Sequence, residues 1–212
     1  MDFSLSEEQE MLRSSVREFM ERECPKSKIR ELEEDEEGYD PEIWSRMAEQ
    51  LGLMGLVFPE EYGGAGGNFL DLAILMEEMG RNIFPGPFFS TVALCALPIL
   101  EYGTSEQKRD FLPKIASGEE IWALALTEPS LSYKPSGIGL VASLHGERYL
   151  LSGTKLFISY AHIANYLLVV ARTGEPEEEL TVFIVNAKSP GIGVAVIATI
   201  VHDKQCEISF DR

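Results

Sequence analysis

Two short stretches carry hydroxyl, aromatic and proline residues at the ends of apolar segments. One is Ile121-Trp122-Ala123-Leu124-Ala125-Leu126-Thr127-Glu128-Pro129-Ser130. The other is Leu151-Ser152-Gly153-Thr154-Lys155-Leu156-Phe157-Ile158-Ser159. Each reads as a strand that closes on polar groups, Thr127 and Ser130 in the first and Ser159 in the second. Pro129 has no N–H to extend a ladder and biases Glu128 toward extended backbone. Such an ending presents a hydroxyl and backbone N–H groups at a sheet edge. The residues alone leave two readings open, a functional edge or two ordinary strand-to-turn transitions.

Other candidate chemistry is sparse. Cys24, Cys95 and Cys206 are far apart and form no CxxC, and His145, His162 and His202 have no ligand spacing, so no metal site is expected. The odd thiol count implies reduced cysteines in a cytoplasmic-type compartment. Four glycines in Gly63-Gly64-Ala65-Gly66-Gly67 precede a helix, but neither a Gly-Lys-Ser/Thr end nor GxGxxG spacing is present. That segment is expected to be a structural turn. Glu77, Glu78 and Glu128 lack the paired geometry of general acid–base work, so no catalytic residue is expected within the chain.

The elements that must hold these residues change character once. Over residues 1–118 the apolar positions recur at helical spacing. Ser6-Glu7-Glu8-Gln9 is a capping box before Leu12, Val16, Phe19 and Met20. Asp40-Pro41 opens a helix with Ile43, Trp44, Met47 and Leu51 on one face, which Gly52 stops. A third helix runs from Asn68 to Met79 and ends at Gly80. Residues 88–102 are apolar almost all round and predict a central helix. Thr104-Ser105-Glu106-Gln107 caps a last helix before Gly118.

From Ile121 the period is two. Strands are expected at 121–127, 138–144, 148–152, 155–158, 166–172, 180–186, 192–197 and 206–210, with turns at Gly146-Glu147, Gly153-Thr154, 174–178 and Ser189-Pro190-Gly191. The expected fold class is α+β: a helical domain at 1–118, then a small antiparallel β-barrel or sandwich at 119–212.

The chain has 212 residues, 18 basic and 35 acidic, for a net charge of −17. That balance argues against nucleic acid or an anionic membrane as partner. Part of the excess is local, at 31–37 and 175–179, and reads as solvated surface. The start of the chain carries no signal or transit pattern. The longest apolar run, 92–100, is too short to span a bilayer.

Taken in order, Leu124-Ala125-Leu126-Thr127-Glu128-Pro129, Gly153-Thr154-Lys155-x-Phe157-Ile158-Ser159 and Ala171-Arg172-Thr173 resemble the middle β-domain of acyl-CoA dehydrogenases. Pro59-Glu60-Glu61-Tyr62-Gly63-Gly64 and Glu77-Glu78-Met79-Gly80-Arg81 extend the resemblance into the helical part. The resemblance implies FAD as cofactor and α,β-dehydrogenation of an acyl-CoA thioester. Leu124, Leu126 and Thr127 would run along the isoalloxazine ring. Phe157 would stack on it, Ile158 would lie beside that contact, and Ser159 would hydrogen-bond the flavin. Phe157 stands where the family most often has Trp, and Ser159 where Thr is common. Phe88, Phe89, Ser90 and Leu94 would line the acyl pocket by position.

One departure is plain. Many relatives carry Gly-Ser-Asp after Thr-Glu-Pro, its serine meeting the FAD pyrophosphate. Here the segment is Ser130-Leu131-Ser132-Tyr133-Lys134-Pro135-Ser136-Gly137, leaving Ser132, Tyr133 and Lys134 as phosphate donors. By resemblance the family's base, a glutamate, lies in a C-terminal helical domain beyond the stretch Asp203-Lys204-Gln205-Cys206-Glu207. A fragment or split subunit, inactive alone and completed by that domain or by a partner subunit, is therefore expected. Homo- or hetero-oligomers and an electron-transferring flavoprotein as acceptor are implied as well. The alternatives are a non-catalytic acyl-CoA- or flavin-binding module, and a related flavin oxidase or monooxygenase.

Overall fold

The computed structural model describes residues 4–132, 134–174, 179–200 and 203–211. These residues form two compact units, Met1–Gly86 with Pro98–Glu119, and Pro87–Leu97 with Glu120–Arg212. The first is helical and the second is built on a sheet.

In the helical unit, α1 (Glu7–Glu23) starts at the expected capping box, with Ser6 Oγ accepting from Gln9 N at 3.2 Å and Gln9 Oε1 from Ser6 N at 3.1 Å. Its Val16, Phe19 and Met20 are buried. A helix the periodicity does not announce, α2 (Lys26–Glu34), follows; its N-cap is Pro25, with no side-chain cap. α3 (Pro41–Glu49) is capped by Asp40 and ends before Gly52, whose φ of +62° suits glycine. α4 (Phe69–Arg81) runs past Gly80 to Asn82. It is joined to α1 by Gln9 Nε2 donating to Asp71 Oδ1 at 3.0 Å, and by Arg17, whose Nε and Nη2 donate to the buried Glu78 carboxylate at 2.9 and 2.6 Å.

The glycine segment is the structural turn expected. Gly66 N donates to Phe58 O and Gly67 N to Leu56 O, each at 2.9 Å, so these amides are engaged within the turn. A Cβ on Gly64 would fall 2.1 Å from Phe58 O. The unit is completed by residues 98–102 of α5 (Leu97–Tyr102) and by α6 (Ser105–Ala116), whose capping box is Thr104 and Gln107.

In the second unit residues 89–96 form a π-helix rather than the expected α-helical turns. It packs on β1 (Trp122–Ala125), where Thr91 Oγ1 donates to Trp122 O at 3.2 Å and accepts from Trp122 N at 3.0 Å. The other strands are β2 (Val141–His145), β3 (Arg148–Ser159), β4 (Tyr166–Arg172), β5 (Leu180–Asn186), β6 (Ile192–Ile197) and β7 (Gln205–Asp211). They form one curled half-barrel sheet in the order β1-β4-β2-β3-β7-β6, with β5 on β4. The sheet is mixed: β1 and β2 each run parallel to β4, and the remaining pairs are antiparallel. Its buried side includes Ala123, Ala125, Leu140, Ile158, Leu167, Val169, Ile208 and Phe210.

Gly153-Thr154 is not the turn the sequence suggests. β3 passes through it unbroken for 12 residues. Gly153 has a φ of +144°, and a Cβ there would stand 3.0 Å from Leu140 Cα. The glycine admits the backbone of the preceding segment rather than reversing the chain.

Candidate functional site

The ladder of β1 ends at Ala125, opposite Val169. Leu126 and Thr127 continue beyond it, partly buried. Thr127 O accepts from Leu156 N at 2.8 Å, which ties the end of β1 to the middle of β3. At that point β3 slips against β7: Lys155 pairs with Ile208 and Ile158 with Cys206, three steps on one strand against two on the other. The extra residue makes a bulge, which bends a strand and re-aims a side chain. Phe157 occupies it with a φ of +56°, an unusual conformation for a bulky residue. Its ring is 46% exposed, while Ile158 beside it is in the sheet core. Ser159 pairs with Gln205, and Tyr160, also at positive φ, closes the strand. Among the described residues no hydrogen bond engages the Thr127 or Ser159 hydroxyl.

Beneath this edge lies an ion pair that single-stretch reading misses. Lys155 is fully buried, and its Nζ donates to Glu128 Oε1 at 2.7 Å and to Leu126 O at 3.1 Å. The Glu128 carboxylate also accepts from Gly139 N at 2.6 Å and Leu140 N at 3.0 Å. Burial pulls the Lys155 pKa down, and the bond to Glu128 opposes that pull. A sequence signal was available: Lys155 stands inside a strand and Glu128 just past the end of one, and buried charges of opposite sign need each other. With three donors on it, the Glu128 carboxylate is a structural acceptor rather than a base.

The segment after Pro129 folds back on itself. Ser130 Oγ donates to Gly137 O at 3.1 Å, and Lys134 N donates to Ser132 Oγ at 3.3 Å. Tyr133 lies outside the described residues. Leu124 is partly buried in β1. Of the four positions expected to line an acyl pocket, Phe88 is core. Ser90 is buried with its hydroxyl donating to Pro87 O at 2.9 Å, Leu94 is partly buried and Phe89 is 51% exposed. Glu77 is largely exposed, and Glu78 is taken by Arg17.

The three cysteines are free and buried. Burial pushes the Cys24 thiol up to about 11 and raises Cys95 and Cys206 as well. Among the described residues no cluster of three metal-ligating side chains occurs, and no helix is long and apolar enough to cross a membrane.

Family models described as the N-terminal and middle domains of acyl-CoA dehydrogenase match residues 6–119 and 123–212. The chain belongs to the acyl-CoA dehydrogenase family. It is 36% identical over 201 residues to a short-chain specific acyl-CoA dehydrogenase of Clostridium acetobutylicum, covering 93% of this chain and 52% of that protein. It is 33% identical over 193 residues to a subunit of the caffeyl-CoA reductase–Etf complex of Acetobacterium woodii, covering 89% and 50%. An acyl-CoA dehydrogenase of Bacillus anthracis solved in complex with FAD superposes with a TM-score of 0.87 at 28% identity, over 98% of this chain and 36% of that one. The chain spans about half the length of the curated relatives it matches.

The edge at Thr127 and Phe157 suits a flavin ring on its own terms. A half-exposed aromatic face stands on a bulge, the end of an adjacent strand is tied to it, and the Thr127 and Ser159 hydroxyls have no internal partner among the described residues.

Proposed function

We propose that this acyl-CoA dehydrogenase family chain provides the flavin-ring edge of an FAD-dependent enzyme that dehydrogenates an acyl-CoA thioester between its α and β carbons. The observation that carries the reading is the bond from Leu156 N to Thr127 O, which brings the β1 end and the Phe157 bulge to one edge. FAD, when bound, supplies the hydride acceptor for the β carbon. The chain's residues bind and orient. Phe157 offers an aromatic face, Leu124 and Leu126 flank the ring, and the Thr127 and Ser159 hydroxyls donate to its polar edge. Ser132 and Tyr133 serve the phosphates, while Phe88, Phe89, Ser90 and Leu94 belong to the acyl side. Glu128 and Lys155 fix the Leu126 carbonyl and so the position of the edge.

Removal of the α proton needs a base, and the Glu128 carboxylate is occupied. The activity is therefore proposed for an assembly in which a further helical segment, from the same or a partner polypeptide, supplies one. The similarity to an Etf-complex subunit supports an electron-transferring flavoprotein as acceptor. A cytoplasmic, oligomeric enzyme fits the buried free thiols and the acidic surface.

The test is reduction of an artificial electron acceptor in excess FAD across a panel of acyl-CoA thioesters. The chain alone should give no turnover. Adding the C-terminal helical domain of a full-length relative should restore turnover with some thioester. A reconstituted pair that stays colourless and inactive would leave a non-catalytic scaffold instead.

A further inference from the structure

α4 has two apolar rows. One is buried within the helical unit and includes Leu72, Leu75 and Met79. The other lies on its open side. Phe69, Ala73 and Gly80 are exposed there, Phe69 by 75%, and Met76 is only partly buried. The steps between these four are four, three and four residues, the alternation of d and a positions in a heptad seam. At 3.6 residues per turn they fall within an arc of about 60° over a length of about 17 Å.

Two features of this row cost stability and gain nothing inside the chain. Gly80 stands within a helix, where alanine is preferred, yet a Cβ there would meet nothing within 4 Å. No close approach by the described residues asks for a glycine. Just beyond, Ile83 takes the left-handed position that ends α4, where glycine is usual: Phe84 N closes over it onto Met79 O at 2.9 Å. Its φ of +53° is an outlier for a β-branched residue, and its side chain is 69% exposed.

A backbone passing close by accounts for Gly80, and an apolar cover accounts for Ile83. The heptad spacing makes that cover a helix. Ala73 and Gly80 leave holes between larger neighbours, into which the side chains of a facing helix fit. A second copy would bring another charge of −17 to the contact, so the occupant is a different helix, neutral or basic. We infer that this row of α4 seats the further helical segment of the proposed assembly, with Gly80 at the point of closest approach. The inference rests on that reading and deepens it, since it names the face of this chain that the segment meets.

The experiment is titration calorimetry of the full chain with the C-terminal helical domain of the Clostridium acetobutylicum relative, beside melting curves of the chain alone. Gly80→Ala should raise the midpoint of the chain alone by roughly 1–3 °C and yet weaken association about threefold. Gly80→Leu should keep the fold and weaken association more than about tenfold. Ile83→Gly should weaken association with the midpoint at or above that of wild type. Amide exchange over 69–81 should slow when the domain binds. Association unchanged in Gly80→Leu overturns the inference and leaves the assembly reading intact. A Gly80→Ala chain that melts below wild type shows that the glycine serves internal packing, and overturns it too. So does sedimentation in which the chain alone is a dimer that Gly80→Leu splits, which places a second copy on the row. Wild type that does not bind the domain removes both the inference and the assembly.

Discussion

Phe157 holds a left-handed backbone on a bulge, which costs a bulky L-residue about 1–2 kcal/mol. Phe157 is 46% exposed, so the half it buries returns about 1 kcal/mol, and glycine would add a chain-entropy cost of about 0.5–1 kcal/mol. Phe157→Gly should therefore leave the thermal midpoint within roughly 2 °C of wild type while weakening FAD binding, because the strain released and the packing lost offset each other. Melting curves and FAD titration of the same sample check it, and a Gly variant that melts far lower would show that packing outweighs the strain. Glu128→Gln leaves the Lys155 ammonium buried without its counter-charge and should cost about 3–5 kcal/mol in denaturant titration. Residue type and order single out Thr127, Phe157 and Ser159 as strand-end polar and aromatic groups, and their part in flavin binding is the proposal made above. The Glu128–Lys155 pair was not legible, because two charges 27 positions apart meet only once the strand register is set.

Among the elements, helices with side-chain caps were legible. Ser6, Asp40, Asn68 and Thr104 each accept from an N–H of the first turn. α2 lacked that signal, since Pro25 caps it with no side-chain bond and only Ile29 and Leu32 are buried. The π-helix lacked it for another reason, being apolar on every side and so without a period. Gly153 was misread because glycine marks both a turn and a close approach. Gly153→Ala should destabilise the sheet unit by about 2–4 kcal/mol, since the neighbouring atoms are Leu140 backbone and side chain in a packed strand pair.

The α1–α4 junction makes a pH prediction. Arg17 holds the Glu78 carboxyl below the usual carboxylate range. A carboxyl lowered by folding stabilises above its unfolded pKa, and that contribution is lost as pH falls through the folded value. At pH 7, Glu78→Gln should melt roughly 2–4 °C lower than wild type, with the gap closing in acid. A gap that widens in acid would show that the pair does not favour the charged form.

At the scale of the whole molecule, a net charge of −17 predicts no retention on nucleic acid at physiological salt. The change from helical to strand periodicity near Gly118 made the fold class readable. The parallel pairings of β4 with β1 and β2 were not, because they depend on long-range contacts that strand periodicity does not encode. The central claim is that Thr127 and Phe157 form one flavin-binding edge. A few hydrogen bonds at about 1 kcal/mol each and a stacking contact of similar size work against an association cost of several kcal/mol. The isolated chain should then bind FAD at about 0.1–1 mM. The most direct measurement is an FAD titration of wild type beside the Thr127→Ala, Phe157→Ala double variant, with both shown folded by circular dichroism. Wild type should show weak saturable binding and the variant none. Equal binding by both would contradict that claim.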